Sequence, residues 1–216
     1  MDKSYIGQND CAVCERAGIA AILDRHRKWL NHEEGGERAY LSCEDLSDHS
    51  FPRANLSLAD LRCADLSGTC LRDALLYRAD LRGADLTDAD LSKALLSEAK
   101  IMYSSLPSAD LSRAYLQRAD LTGADLTGAN LRRALLDETD LSGAVLTFTD
   151  LRGAYLEKAK IKNADFTDAR LDCYGWLLTH GGGDDNGAMS ADVALWFLIV
   201  FLAVFSFSVV LITEVL

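Results

Sequence analysis

Large apolar residues recur at every fifth position of the chain from residue 41 to residue 171. Of these 27 positions 23 are leucine, and 21 have an alanine two residues earlier. Five residues turn an α-helix through about 500°, so this spacing makes no apolar face on a helix. A flat strand gives none either, because an odd step alternates between its two sides. The pattern therefore predicts a chain that turns at every step and sends both Ala and Leu into one continuous core.

Individual steps read Ala-Asn-Leu-Ser-Leu at 54–58, Ala-Asp-Leu-Thr-Asp at 84–88 and Ala-Asp-Leu-Thr-Gly at 124–128. With these repeats, residues 39–178 resemble the pentapeptide-repeat family. The resemblance implies an all-β solenoid, a right-handed quadrilateral β-helix with four pentads to a coil and about seven coils. The apolar residue of each pentad is termed the centre here, and the residue directly before it occupies the outward position.

Outward residues test the four-pentad coil, since side chains on one face must then recur every 20 residues. Seven outward residues are large and apolar, and five of them follow that spacing: Leu75, Leu95, Tyr115, Leu135 and Tyr155. Four basic residues flank this column: Arg53, Lys93, Arg113 and Arg133. An apolar strip with a charged rim is typical of protein interfaces. We therefore expect a protein partner or a second copy here, unless the side chains cover one another or an N-terminal helix covers them.

Residues 1–38 form a leader in which 12–30 has an amphipathic helical pattern that ends before Gly35-Gly36. We expect this helix to cap the exposed backbone of the first coil. Cys11, Cys14, His26 and His32 approach the spacing of a two-Cys, two-His zinc site. A continuous helix would carry the cysteines away from His32, so we expect neither metal nor cofactor.

The C-terminal part has a different composition. Residues 179–192 are rich in Gly and Asp, as in a flexible linker, and residues 193–213 contain no charged residue. As a helix this segment would be about 31 Å long, which matches the bilayer core. We expect a single-pass C-terminal anchor. Because residues 1–10 are polar and do not read as an export signal, we expect the repeats to face the cytosol, at the inner membrane if the protein is bacterial.

Composition narrows the function. The formal net charge of −11 argues against direct nucleic-acid binding. The histidines are scattered, and no nucleophile elbow or phosphate-binding glycine loop occurs, so we expect a protein that is not an enzyme.

Two functions remain open. We favour a membrane-anchored scaffold that presents the apolar column to a protein. The alternative, which the family resemblance implies, is a β-helix whose acidic columns imitate duplex DNA and bind a type II topoisomerase, DNA gyrase. Lys100 and Lys160 interrupt one acidic column and Arg132-Arg133 adds a basic run, which count against this alternative, as does the predicted anchor.

Overall fold

The computed structural model describes residues 17–171, which form one helix followed by a β-solenoid. Helix α1 spans Ala17–Leu30. In the solenoid each outward residue from Tyr40 to Asp150 forms a parallel β-bridge with the residue 20 positions later, and the last bridge joins Asp150 to Arg170. These single-residue bridges take the place of longer strands in the described range. Four pentads therefore make one coil, which confirms the predicted β-helical solenoid.

Backbone hydrogen bonds between coils follow one scheme in every pentad. The N–H of the centre donates to the outward residue of the next coil, as Leu56 does to Leu75 at 2.7 Å. The N–H two residues after the centre also donates upward, from Leu58 to Tyr77 at 2.8 Å, and the outward N–H donates downward, from Leu75 to Ala54 at 2.9 Å. A fourth N–H, that of the first residue of the following pentad, donates back to the carbonyl oxygen of the centre, as Ala59 does to Leu56 at 3.0 Å. Few polar backbone groups are thus left without a partner.

The N–H directly after the centre takes no part in this ladder, which explains two features of the sequence. Where the outward residue is Asp, its carboxylate caps this N–H, as Asp65 Oδ1 does for Ser67 at 3.0 Å while also accepting the Ser67 hydroxyl at 2.6 Å. Both prolines, Pro52 and Pro107, occupy the same position, and serine stands at the outward position before each. Proline therefore costs no ladder bond here.

The residue two positions after each centre forms a corner of the coil. Every corner residue from 43 to 168 has a φ between 54° and 73°, in the left-handed region. Only six of them are glycine: Gly68, Gly83, Gly123, Gly128, Gly143 and Gly153. A side chain costs about 1 kcal/mol in this conformation. Most corners therefore display a side chain where the backbone alone would favour glycine.

The core consists of the stacked Leu and Ala side chains, almost all of them buried from Ala39 to Leu151. Helix α1 lies at the first coil, where Ile19, Ile22 and Leu23 pack against this core. The predicted helix began at residue 12, but residues 12–16 lie outside the described range.

Several predicted segments also lie outside it: Cys11 and Cys14, the end of the repeats at 172–178, the linker at 179–192 and the anchor at 193–213. Residues 17–171 contain one 14-residue helix, and it is neither long nor apolar enough to cross a bilayer.

Candidate protein-binding face

Five outward side chains make one apolar column on the solenoid, termed the apolar face: Leu75, Leu95, Tyr115, Leu135 and Tyr155. Consecutive members are joined by parallel bridges, so each lies directly above the one before. Leu75 and Leu135 are half-buried, whereas Leu95, Tyr115 and Tyr155 are 37%, 43% and 53% exposed. The column therefore remains open to solvent, and helix α1, at the first coil, does not cover it.

Basic residues occupy the corner directly before the apolar face. This basic corner consists of Arg53, Lys93, Arg113 and Arg133, and all four side chains are exposed. Within residues 17–171 no carboxylate oxygen lies within 4.0 Å of their charged nitrogens. Asp73 stands in the same column, between Arg53 and Lys93, and forms no ion pair with another residue of the described range.

Other arginines of the solenoid are arranged differently. Arg62 and Arg82 each meet an aspartate at 2.7 Å, through Asp60 and Asp80. Stacked coils place corner cations about 4.8 Å apart, where like charges repel. The basic corner thus holds positive charge that the described part of the chain leaves unneutralised.

A shallow groove runs between the basic corner and the apolar face. It has a volume of about 410 Å³ and is lined by Asp73, Lys93, Leu95, Arg113 and Tyr115. Apolar and cationic groups therefore meet in one depression, which could hold an apolar side chain next to a carboxylate.

The opposite corner of the apolar face is electrostatically satisfied. Arg78 contacts Glu98 at 2.6 Å, and Arg118 contacts Glu138 at 2.8 Å. The hydrogen bond from each arginine lowers the pKa of its glutamate. Lys158, in the same corner column, contacts Glu157 at 3.8 Å. The two edges of the face thus differ, since the cations of one have partners in the described part of the chain and those of the other do not.

A second surface, termed the acidic face, was missed in the sequence. Its outward column is Asp45, Asp65, Asp85, Ser105, Asp125, Val145 and Asp165, and its corners add Asp48, Asp88 and Asp168. Neither Lys nor Arg occurs in its outward, after-centre or corner columns. The lysines at 100 and 160 belong to the neighbouring face. There their backbones form parallel β-bridges, Lys100 with Asp80 and Asp120, and Lys160 with Asp140. Reading all three columns of each face together would have revealed this surface.

The candidate zinc ligands do not come together in the described residues. His26 is fully buried, and its Nδ1 accepts the Ala39 N–H at 3.0 Å while its Nε2 lies 3.0 Å from the Ser57 carbonyl oxygen. Its ring stacks on Trp29 with centroids 5.6 Å apart. With both nitrogens in hydrogen bonds, His26 has no lone pair for a metal. His32 is exposed, and residues 17–171 hold no cluster of three His, Cys, Asp or Glu side chains suited to a metal ion.

Comparison with known proteins gives a family match along the solenoid. The family described as pentapeptide repeats matches in eight copies, over residues 39–78, 74–114, 103–133 and 134–172. No protein of curated function shows significant similarity to the chain.

Solved structures of several pentapeptide repeat proteins are similar. A trypsin-treated variant of QnrB1, a plasmid-mediated fluoroquinolone resistance protein, is 22% identical with a TM-score of 0.46, over 66% of this chain and 83% of that one. HetL from the cyanobacterium Nostoc sp. strain PCC 7120, involved in heterocyst differentiation regulation, is 31% identical with a TM-score of 0.32, over 70% and 87%. A protein of the Arabidopsis thaliana thylakoid lumen is 31% identical with a TM-score of 0.34, over 47% and 67%.

Proposed function

This chain belongs to the pentapeptide repeat family, and on that premise we propose that it is a non-enzymatic binding module whose apolar face contacts another protein. Proteins of this family are generally structural or interaction modules. The observation that carries the proposal is the open apolar column beside a basic corner that forms no ion pair within residues 17–171. Contiguous apolar surface of this kind usually marks a contact.

The carboxylates of the solenoid support a binding role rather than catalysis. Outward aspartates such as Asp65, Asp125 and Asp165 cap the backbone N–H two residues later. Hydrogen bonds from Thr167 lower the pKa of Asp165, so this carboxylate favours its charged form. A catalytic carboxylate usually lies in a pocket that perturbs it toward proton transfer. These aspartates instead have a structural task in every coil.

Charge restricts how a second copy could be the partner. If the two-fold axis is perpendicular to the solenoid axes, the two copies are antiparallel. The basic corner of each copy then lies against the basic corner of the other. An axis parallel to the solenoids would place Arg113 opposite Arg118, but also Lys93 opposite Glu98 and Arg133 opposite Glu138. These two glutamates already have arginine partners. The antiparallel arrangement thus brings unneutralised like charges together, which is unfavourable, whereas the parallel arrangement does so only at Arg113.

The test replaces Leu95 and Leu135 by glutamate in a protein that carries a photocrosslinking residue in place of Tyr115. We expect the double variant to keep its circular dichroism spectrum and to lose the protein that crosslinks at position 115. A control with Tyr103→Glu and Phe148→Glu adds the same charge at exposed corners of other faces, which are 70% and 63% exposed. Equal crosslinking by both double variants would reject the apolar face as the contact.

We further propose that residues 193–213 attach this module to a membrane with the repeats on the cytosolic side. The support is a stretch of 21 residues without charge. Protease treatment of sealed vesicles of both orientations tests it. We expect the protease to digest the repeats in inside-out vesicles and to leave them intact in right-side-out vesicles. The reverse pattern would exclude a cytosolic location.

A second candidate, mimicry of duplex DNA toward gyrase, is favoured by one observation, the acidic face without Lys or Arg. The solenoid would then inhibit supercoiling by gyrase at low micromolar concentration. Asp85→Asn with Asp125→Asn is a matched variant, because asparagine keeps the Oδ1 that caps Thr87 and Thr127 while removing the charge. Inhibition that this variant loses would establish the second candidate, and no inhibition by either protein would remove it.

A further inference from the structure

We infer that the partner segment on the apolar face is an amphipathic α-helix with acidic residues along one flank, lying parallel to the solenoid axis. The inference rests on the proposed binding role of this face. It specifies the conformation of the segment, its orientation and the sign of its charge, none of which the binding role alone fixes.

The step along the apolar column selects a helix. Bridged neighbours on adjacent coils are about 4.8 Å apart, so the four steps from Leu75 to Tyr155 cover roughly 19 Å. The apolar stripe of a helix advances by 3.5 residues on average, or about 5.2 Å per step, and covers about 21 Å in four steps. Side chains on one side of a strand are about 6.7 Å apart and cover about 27 Å. A helix therefore stays in phase with the column, whereas a strand running along it does not.

The two edges of the face select the charge of the helix. Lys93, Arg113 and Arg133 lie on three successive coils and form no ion pair within the described residues. The corner cations of the opposite edge already have partners, in the pairs Arg78–Glu98, Arg118–Glu138 and Lys158–Glu157. A helix about 10 Å wide would bring one flank over each edge. Carboxylates on the flank over the basic corner would neutralise it, whereas the other flank would face corner cations that already have partners.

The groove beside Leu95 and Tyr115 gives the helix a point of attachment. Lys93 and Arg113 form its cationic side. A large apolar side chain of the helix can enter there while a glutamate three or four residues away, on the same side, reaches the guanidinium of Arg113. Apolar burial and charge pairing thus act at the same place, as in the centre of a typical binding surface.

The experiment measures binding of three synthetic peptides to the full-length protein in detergent, by fluorescence anisotropy. Each peptide has roughly 18 residues, enough for five helical turns. The first has leucines at helical spacing and glutamates on one flank, the second has lysines on that flank, and the third has the composition of the first in a strand-like alternating order. We expect the first peptide to bind at least about tenfold more tightly than either of the others. It should gain helical circular dichroism on binding and weaken as salt is raised.

Variants of the basic corner separate charge from folding. A triple variant with glutamate in place of Lys93, Arg113 and Arg133 should bind the lysine peptide more tightly than the glutamate peptide. Glycine at the same three positions should abolish the preference without unfolding the protein, because their φ values of 57° to 59° suit glycine.

Equal affinity for the first two peptides, tighter binding of the alternating peptide, or no binding of the first would each overturn the inference. The crosslinking experiment separates this failure from failure of the binding role. If the peptides gave one of these results but the double variant Leu95→Glu, Leu135→Glu still lost its crosslinked partner, the binding role would stand and only the acidic helix would be wrong. If the crosslink also persisted, the binding role itself would fail.

Discussion

At the scale of single residues, His26 shows how one side chain can fix the start of the solenoid. The Ala39 N–H donates to Nδ1, so the ring proton is on Nε2 and is donated to the Ser57 carbonyl oxygen. Burial lowers the pKa of His26 from its ordinary value of 6.5, and the charge of Arg38 acts in the same direction. A second ring proton would also turn Nδ1 into a donor facing the Ala39 N–H. The neutral ring is therefore required for the contact.

Mild acid is expected to weaken the protein through this residue. Because the pKa is lower in the folded protein, the unfolded chain binds the proton first. The stabilisation is thus complete above about pH 6.5 and decreases as the pH falls below that value. Urea midpoints at about pH 7 and about pH 5 test this for the wild type and for His26→Gln, whose amide does not titrate. The wild type should lose more stability than the variant, and equal losses would exclude His26 as the cause.

At the scale of elements, α1 depends on the close return of the chain beneath its last turn. A Cβ atom at Gly36 would lie 2.4 Å from the Trp29 backbone nitrogen and 2.6 Å from the Lys28 carbonyl carbon. Both are backbone atoms and cannot move aside as a flexible side chain would. The glycine that follows the helix is thus needed for space, beyond its effect on helix termination.

Gly36→Ala should lower the free energy of unfolding by about 1–3 kcal/mol, as expected for overpacking against fixed atoms. Gly18→Ala is the matched control within α1, because a Cβ atom there meets nothing within 4 Å. Alanine should raise helix stability at that position by up to about 1 kcal/mol. Chemical denaturation of the two variants measures the difference. Equal stabilities would show that the return of the chain is looser than the structure indicates.

At the scale of the whole solenoid, the angular position of a residue follows from its number. Every coil uses four pentads, and each bridge joins residues 20 apart. Removing one whole coil therefore keeps each face aligned above and below the cut, whereas removing one pentad rotates all later faces by a quarter turn.

Two deletions test this register. Without residues 101–120, Leu135 would lie above Leu95 and the apolar face would stay continuous but shorter. Without residues 101–105, Asp120 would take that place and the face would end at Leu95. Both proteins should keep a solenoid by circular dichroism, because each deletion removes a multiple of five residues and leaves the pentad pattern in register. Only the first should retain crosslinking of a partner through a probe at Leu95, and retention by both would show that the continuous column is not needed.

The sequence was sufficient to predict the coils and the alignment of Leu75 with Tyr155, because neighbouring coils repeat the same hydrogen bonds at a constant interval. It was not sufficient to predict how α1 is attached to the first coil. His26 contacts residues 13 and 31 positions away, and these contacts depend on where α1 packs rather than on any period. The basic corner was found as a flanking feature, but its lack of ion pairs requires distances. The acidic face was visible in principle and was missed because Lys100 lies in a column of the adjacent face.

The left-handed corners allow recognition to evolve separately from folding. Corner side chains such as Lys93, Arg113 and Arg133 point away from the interior, and their backbone conformation is shared by glycines elsewhere in the solenoid. Single substitutions there can change the sign or reach of the surface while leaving the Leu and Ala stacks untouched. Descendants of one ancestral solenoid could thereby acquire different ligands without passing through unstable intermediates.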